Sequence, residues 1–234
     1  MIIVSRHLAI GDIHGCIDSL VSLVDYVAIR PEDTIVTLGD YIDRGPDTCA
    51  VLDYLIHLDK THKLVSLRGN HEIMLLDARE KKSCFRDWMG CGGEATLRSY
   101  SPFEGDAGKF TDVPDSHFDF LENKLVSYYE CETHFFVHAN ADADIAFADQ
   151  PAFLLYWQDF RDPPRHCSGK TMVCGHTSQK SGLPLFNENA ICIDTCAYGV
   201  GWLTCLDIDS STIWQTNEVG ERRTFHLSEI ENVI

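Results

Sequence analysis

Two hydrophobic periods alternate along this chain: apolar runs of strand length, and longer stretches where apolar residues return every three or four positions. Ile2 to Ile10 predicts a first strand, followed from Cys16 by a helix with Ile17, Leu20, Val21, Val24 and Val27 on one face. That helix stops before Pro31, and Pro31-Glu32-Asp33 turns the chain into a second strand, Thr34 to Leu38. After Gly45-Pro46, Asp47 is placed to cap a helix whose stripe is Val51, Leu52, Leu55 and Ile56. Lys63 to Leu67 predicts a third strand, with another helix beginning around Ile73. Strand-loop-helix units in succession predict an α/β layered sheet.

Ser83 to Pro114 loses this regularity and is rich in glycine, so it reads as an irregular or partly helical excursion, either a cap over a site or a surface connection. Ser116 to Lys124 predicts a short helix, Leu125 to Tyr129 and His134 to Val137 predict strands, and Pro151 to Phe160 is an apolar, helix-like stretch. Arg161-Asp162-Pro163-Pro164-Arg165 must be a loop. The remainder reads as β: Thr171 to Cys174, Ala190 to Ile193, Gly201 to Asp207, Thr212 to Gln215 and Arg223 to His226. No repeat or linker interrupts, so residues 1–234 are expected to form a single domain, with 83–114 a candidate cap-like insertion.

The polar residues that break this pattern fall at strand ends, where α/β sheets gather ligands. Asp12 and His14 follow the first strand, Asp40, Asp43 and Arg44 the second, Asn70 and His71 the third, and His138 and His176 two later ones. Carboxylates, imidazoles and an amide oxygen, with no thiolate, suit manganese, iron or zinc. Asp12, His14, Asp40, Asn70, His138 and His176 are too many for one tetrahedral ion. They suit two divalent ions about 3.5–4 Å apart, with Asp40 as the natural bridge. The other histidines lack such a context and are read as structural or exposed, and Phe135-Phe136 and Tyr156-Trp157 as core.

Charge narrows the function further. With 19 Lys+Arg against 36 Asp+Glu, the net charge of −17 argues against a nucleic-acid footprint and against anionic membranes. No leader pattern is visible and no apolar run approaches the ~18 residues of a membrane span, so a cytoplasmic location is expected. The 10 cysteines are scattered without a Cys-x-x-Cys pair, which predicts free thiols rather than a disulfide framework.

Gly11-Asp12-Ile13-His14-Gly15, Gly39-Asp40-Tyr41-Ile42-Asp43-Arg44-Gly45 and Gly69-Asn70-His71-Glu72 resemble the three signatures of the phosphoprotein phosphatase branch of the calcineurin-like metallophosphoesterases. The resemblance continues through His138, Gly175-His176-Thr177 and Ile193-Asp194-Thr195, and it leans toward bacterial and phage-type members. It implies a four-layer αββα sandwich of two mixed sheets. It also implies a first metal on Asp12 and His14, a second on Asn70, His138 and His176, and Asp40 between them. Arg44 is then a phosphate grip, and His71, oriented by Asp43, the acid that protonates the leaving group. Substrate phosphate would also meet Asn70 and a second arginine, for which Arg161 is the first choice and Arg165 the reserve. Bacterial relatives tend to have glycine where Cys196 stands.

The implied activity is hydrolysis of phosphoserine and phosphothreonine in proteins, with phosphotyrosine open, through a hydroxide activated by two metal ions, manganese foremost. The rivals are a dinucleoside tetraphosphate hydrolase and, outside enzymes, a catalytically silent phosphoprotein-binding module.

Overall fold

The computed structural model describes residues 5–103 and 105–231. Two mixed sheets lie face to face with helices outside, the layering that the resemblance implies. The elements run β1 (His7–Ile10), α1 (Ile17–Val27), β2 (Thr34–Thr37), α2 (Thr48–Thr61), β3 (Lys63–Ser66), α3 (Asn70–Glu80), α4 (Lys82–Trp88), α5 (Glu94–Ser99) and α6 (Asp115–Asn123). The second half holds β4 (Tyr128–Glu130), β5 (His134–Val137), α7 (Ala152–Trp157), β6 (Thr171–Cys174), β7 (Leu185–Phe186), β8 (Ala190–Cys192), β9 (Leu203–Asp207), β10 (Thr212–Thr216) and β11 (Arg222–His226).

One sheet has the order β11-β10-β9-β1-β2-β3, the other β4-β5-β6-β8-β7. β1, β2 and β3 are parallel with His7 opposite Thr34 and Thr34 opposite Lys63, and β5, β6 and β8 are parallel in the second sheet. Alternation along the strands divides the core into layers. Leu8 and Ile10 face α1 and α2, whereas Ala9 between them faces the other sheet with Val36, Phe136, Val173 and Leu206. Phe135 and Val137 point the opposite way from Phe136, against Leu155 and Tyr156 of α7. The predicted core aromatics therefore split, because Trp157 remains 39% exposed while Tyr156 is buried.

Several expected boundaries move for local reasons. Of the first strand, residues 1–4 lie outside the described residues, and the rest begins at His7. In α1 Leu23 is buried, while Val21, expected on the apolar face, is 43% exposed. α3 starts at Asn70 rather than near Ile73, because the Glu72 carboxylate reaches back to accept from the Gly69 N–H at 2.9 Å and closes the first turn. Asp47 caps α2 as expected, accepting from the Ala50 N–H at 2.9 Å. The 83–114 stretch is largely helical and enters the main core through Trp88, Leu97, Tyr100 and Val113. The two-residue β7 was not anticipated; it pairs antiparallel with β8.

Candidate metal centre and active site

The carboxyl ends of β1, β2, β3, β5 and β6 open toward one edge of the sandwich, and backbone bonds tie their loops together. Ile13 and His14 donate to the Asp40 carbonyl at 3.1 and 2.8 Å, Gly15 to that of Tyr41 at 2.8 Å, and Gly175 to that of His138 at 2.8 Å. His14, Asp40, Asp43, Arg44 and His176 all hold positive φ, a conformation that side chains other than glycine adopt only where the surroundings hold them. Two glycines of the motifs are explained by close approach. A Cβ at Gly69 would lie 2.1 Å from Asp40 Oδ1, and one at Gly175 would lie 1.9 Å from Asp12 Oδ1.

Asp40 sits at the centre. Its carboxylate lies 3.6 Å from His14 Nε2, 3.9 Å from His71 Nε2 and 3.5 Å from His138 Nε2. His14, Asp40 and His71 form one tight donor group, and Asp40, His138 and His176 form another. Asn70 Oδ1 joins the second, 2.9 Å from His138 Nε2 and 3.1 Å from His176 Nδ1. The opposite ring nitrogens are already committed. His14 Nδ1 bonds the Ile42 carbonyl and His138 Nδ1 the Leu38 carbonyl, each at 2.8 Å. These bonds fix the tautomers of His14 and His138 and turn their Nε2 atoms inward as neutral ligand atoms.

Electrostatics fit the same use. Burial holds His14 down to about 3 and His138 to about 4, so both rings are neutral and available to a cation. Asp12 is pushed up by burial and by the nearby carboxylates of Asp194 and Asp40. Burial also raises Asp40, but the rings of His138, His71 and His14 outweigh it and hold this acid below the usual carboxylate range. Burial lifts Asp194 to about 6. Buried acids crowded in this way need positive charge among them, and the donor set is one that divalent ions accept.

His71 is held differently. Its Nδ1 lies 2.7 Å from Asp43 Oδ2, leaving Nε2 facing the Asp40 side of the cavity. Burial lowers its pKa, yet Asp40 and Asp43 together raise it above the ordinary histidine value. Asp43 is locked in turn by Trp88 Nε1 at 2.9 Å and by Thr96 Oγ1, which donates to Oδ1 at 2.6 Å and accepts from the Asp43 N–H at 2.8 Å. Arg44 donates from Nη1 to His14 Nε2 at 2.9 Å and lies 4.7 Å from the centre of the Tyr198 ring.

Asp12, His14, Asp40, Asp43, Arg44, Asn70, His71, His138 and His176 are thus brought together; the two proposed second arginines are not. Arg161 is exposed, with its guanidinium 3.8 Å from Asp159, and Arg165 donates to the Gly169 carbonyl on an outer surface. Glu72, Trp88, Thr96 and Tyr198 also take part, and the sequence alone assigns them no role. Glu72 accepts from the N–H groups of Asp40, Tyr41 and Gly69 and so sets the β2 loop against α3. Its place at the end of Gly69-Asn70-His71-Glu72 was a usable signal, whereas nothing local to Trp88 or Thr96 points to Asp43.

The sequence profile of the calcineurin-like phosphoesterases matches residues 5–203. The chain belongs to this family. Serine/threonine-protein phosphatase 1 of Salmonella typhimurium is 32% identical over 155 residues, which cover 65% of this chain and 63% of that protein. The symmetrical bis(5'-nucleosyl)-tetraphosphatase of Pseudomonas syringae pv. syringae is 37% identical over 79 residues, covering 33% of this chain and 26% of the enzyme. The matches therefore span less than two thirds of these curated relatives. Among solved structures, a protein provisionally named a diadenosine tetraphosphatase superposes with a TM-score of 0.64 at 19% identity, covering 94% of this chain and 93% of that one. The His14–Asp40–His71 and Asp40–His138–His176 groups could each hold a metal ion.

Proposed function

We propose that this metallophosphoesterase removes phosphate from phosphoserine and phosphothreonine in proteins, using two manganese ions. The observation that carries the reading is the His71–Asp43 pair, with Nδ1 bound and Nε2 turned to the Asp40 cavity beside Arg44. Asp12, His14 and Asp40 would hold one ion, and Asp40, Asn70, His138 and His176 the other. Such ions bring the pKa of bound water to about 7 and offset charge on phosphoryl oxygens.

The protein's own groups supply the rest. Arg44 grips a non-bridging oxygen with a fixed positive charge, which strengthens as negative charge builds in the transition state. His71 gives the Nε2 proton to the departing serine or threonine oxygen, a poor leaving group as an alkoxide. Asp43 keeps the ring in the tautomer and orientation that place this proton outward, and the Trp88 and Thr96 bonds keep Asp43 in place.

Cleavage of dinucleoside tetraphosphates is the second reading, favoured by the N-terminal likeness to the tetraphosphatases. The likeness to the protein phosphatase runs over about twice as many residues, which supports the phosphoprotein reading. Purified protein loaded with manganese and given phosphoserine, phosphothreonine and phosphotyrosine peptides and diadenosine tetraphosphate separates these. The expected result is faster phosphate release from phosphoserine and phosphothreonine peptides. Predominant cleavage of the tetraphosphate overturns the protein-phosphatase assignment, and tight peptide binding without turnover points to a binding module.

A further inference from the structure

Beside the reacting centre, a cavity of about 300 Å³ opens between the turn that carries Arg44 and the surface of α5. Arg44, Arg98 and the Tyr198 ring line it, with Gly45, Pro46 and Ala95 leaving its floor small and open. Its inner end is the arginine that touches His14, so whatever occupies it is adjacent to the phosphate-binding position. Its outer end is a second guanidinium on an exposed helix face. Two arginines facing one cavity depart from a chain whose acidic residues outnumber basic ones by 36 to 19. An anionic ligand is repelled by such a surface as a whole and is drawn to the point where the sign reverses. Arg98 donates from Nη2 to Glu94 Oε1 at 3.2 Å one turn earlier. Both side chains of this pair are largely exposed, so it yields readily to a competing anion.

We propose that this cavity is a subsite for a second anionic group of the substrate, a carboxylate or phosphate carried next to the scissile phosphoester, with Arg98 as its specificity-determining residue. This rests on the phosphoesterase reading of the neighbouring centre and adds to it a preference for acidic surroundings. Arg44 serves the reacting phosphate and Arg98 the neighbouring charge. The Tyr198 ring packs against both Arg44 and His14 and walls the cavity between them. Glu94 acts as an internal competitor that weakens the site for neutral or poorly matched flanks.

The test is binding of non-hydrolysable phosphonate peptides by calorimetry to the manganese-loaded full chain, with alanine flanks in one peptide and aspartate flanks in the other. A methylene-bridged diadenosine tetraphosphate analogue forms a third arm. Wild type should bind the aspartate-flanked peptide about fivefold more tightly than the alanine-flanked one, a preference that shrinks at high salt. Arg98→Ala should bring the ratio close to one, Arg98→Glu should invert it, and Glu94→Gln should enlarge it. If Arg98→Ala weakens only the tetraphosphate analogue, the second group is a phosphate of a nucleotide rather than a peptide carboxylate. An affinity ratio that is unchanged by Arg98→Ala, together with an unchanged tetraphosphate affinity, overturns the subsite. Hydrolysis of p-nitrophenyl phosphate keeps the two questions apart. Its retention in that case leaves the phosphoesterase reading standing, and its absence from wild type removes that reading and the subsite with it.

Discussion

His71 gives one ring nitrogen to Asp43 and turns the other to the cavity, a division of labour expected of a proton donor. His71→Asn should cut the rate on a phosphoserine peptide by about 10²–10⁴. On an aryl phosphate, whose leaving group needs less protonation, the loss should be smaller; equal losses on the two substrates would remove His71 as the acid. Arg44 carries a different task. Its replacement by alanine should raise the inhibition constant for free phosphate about tenfold, the scale of a charge-assisted hydrogen bond. An unchanged phosphate constant would contradict its role. Arg44 stands out because charge at the end of an apolar strand has no packing purpose, and the roles of both residues come from the family resemblance of Gly39 to Gly45 and Gly69 to Glu72. Trp88 and Thr96 were not legible in the chain, because their importance lies wholly in a contact with Asp43 across more than forty residues of chain. Arg161 as the second arginine rests on family resemblance alone, and no local pattern in the sequence fixes where its exposed side chain points.

At the scale of elements, one staple joins the entrance of β1 to the turn before β2. The buried Asp33 carboxylate accepts from the backbone N–H of Arg30 at 2.9 Å and of Arg6 at 3.2 Å, and from both guanidinium groups. Burial raises its pKa, but the bonds from Arg6 and Arg30 outweigh it and hold it below the ordinary carboxylate value. A depressed pKa stabilises the fold above the unfolded value of about 3.9 and loses that contribution as pH falls through the folded value. Asp33→Asn should therefore cost about 2–3 kcal/mol at neutral pH, or roughly 4–12 °C in melting temperature, and less below about pH 4. Thermal melts of both proteins across pH check this; a gap that widens in acid would have the wrong sign. Gly69 marks a second constraint on elements, since a Cβ there strikes the Asp40 carboxylate. Gly69→Ala should lower manganese affinity by tenfold or more in a calorimetric titration while leaving secondary structure intact by circular dichroism. Strands and helices with a clear period were readable from the chain. The extent of helix in 83–114, read only as irregular or partly helical, and the short β7 were not, because glycines and proline dominate their local signal and long-range packing of Trp88, Tyr100 and the partly buried Phe186 decides their structure.

For the whole molecule, the two sheets matter because they bring five strand ends to one edge and so gather acids that would otherwise repel. Asp12, Asp40 and Asp194 are buried close together, and divalent ions are the groups that relieve this. At 100 to 1,000 times the dissociation constant, bound metal should add about 3–4 kcal/mol, or roughly 6–16 °C in melting temperature, lost again in excess chelator. An identical melting curve with and without chelator would count against a metal centre. The central claim is that Asp40 stands between two cation sites built from His14 and Asp12 on one side and Asn70, His138 and His176 on the other. Its most direct measurement is anomalous scattering at the manganese edge from a crystal grown with that ion. The account predicts two peaks about 3.5–4 Å apart flanking the Asp40 carboxylate; no peaks among these side chains, or manganese bound only elsewhere, would contradict it.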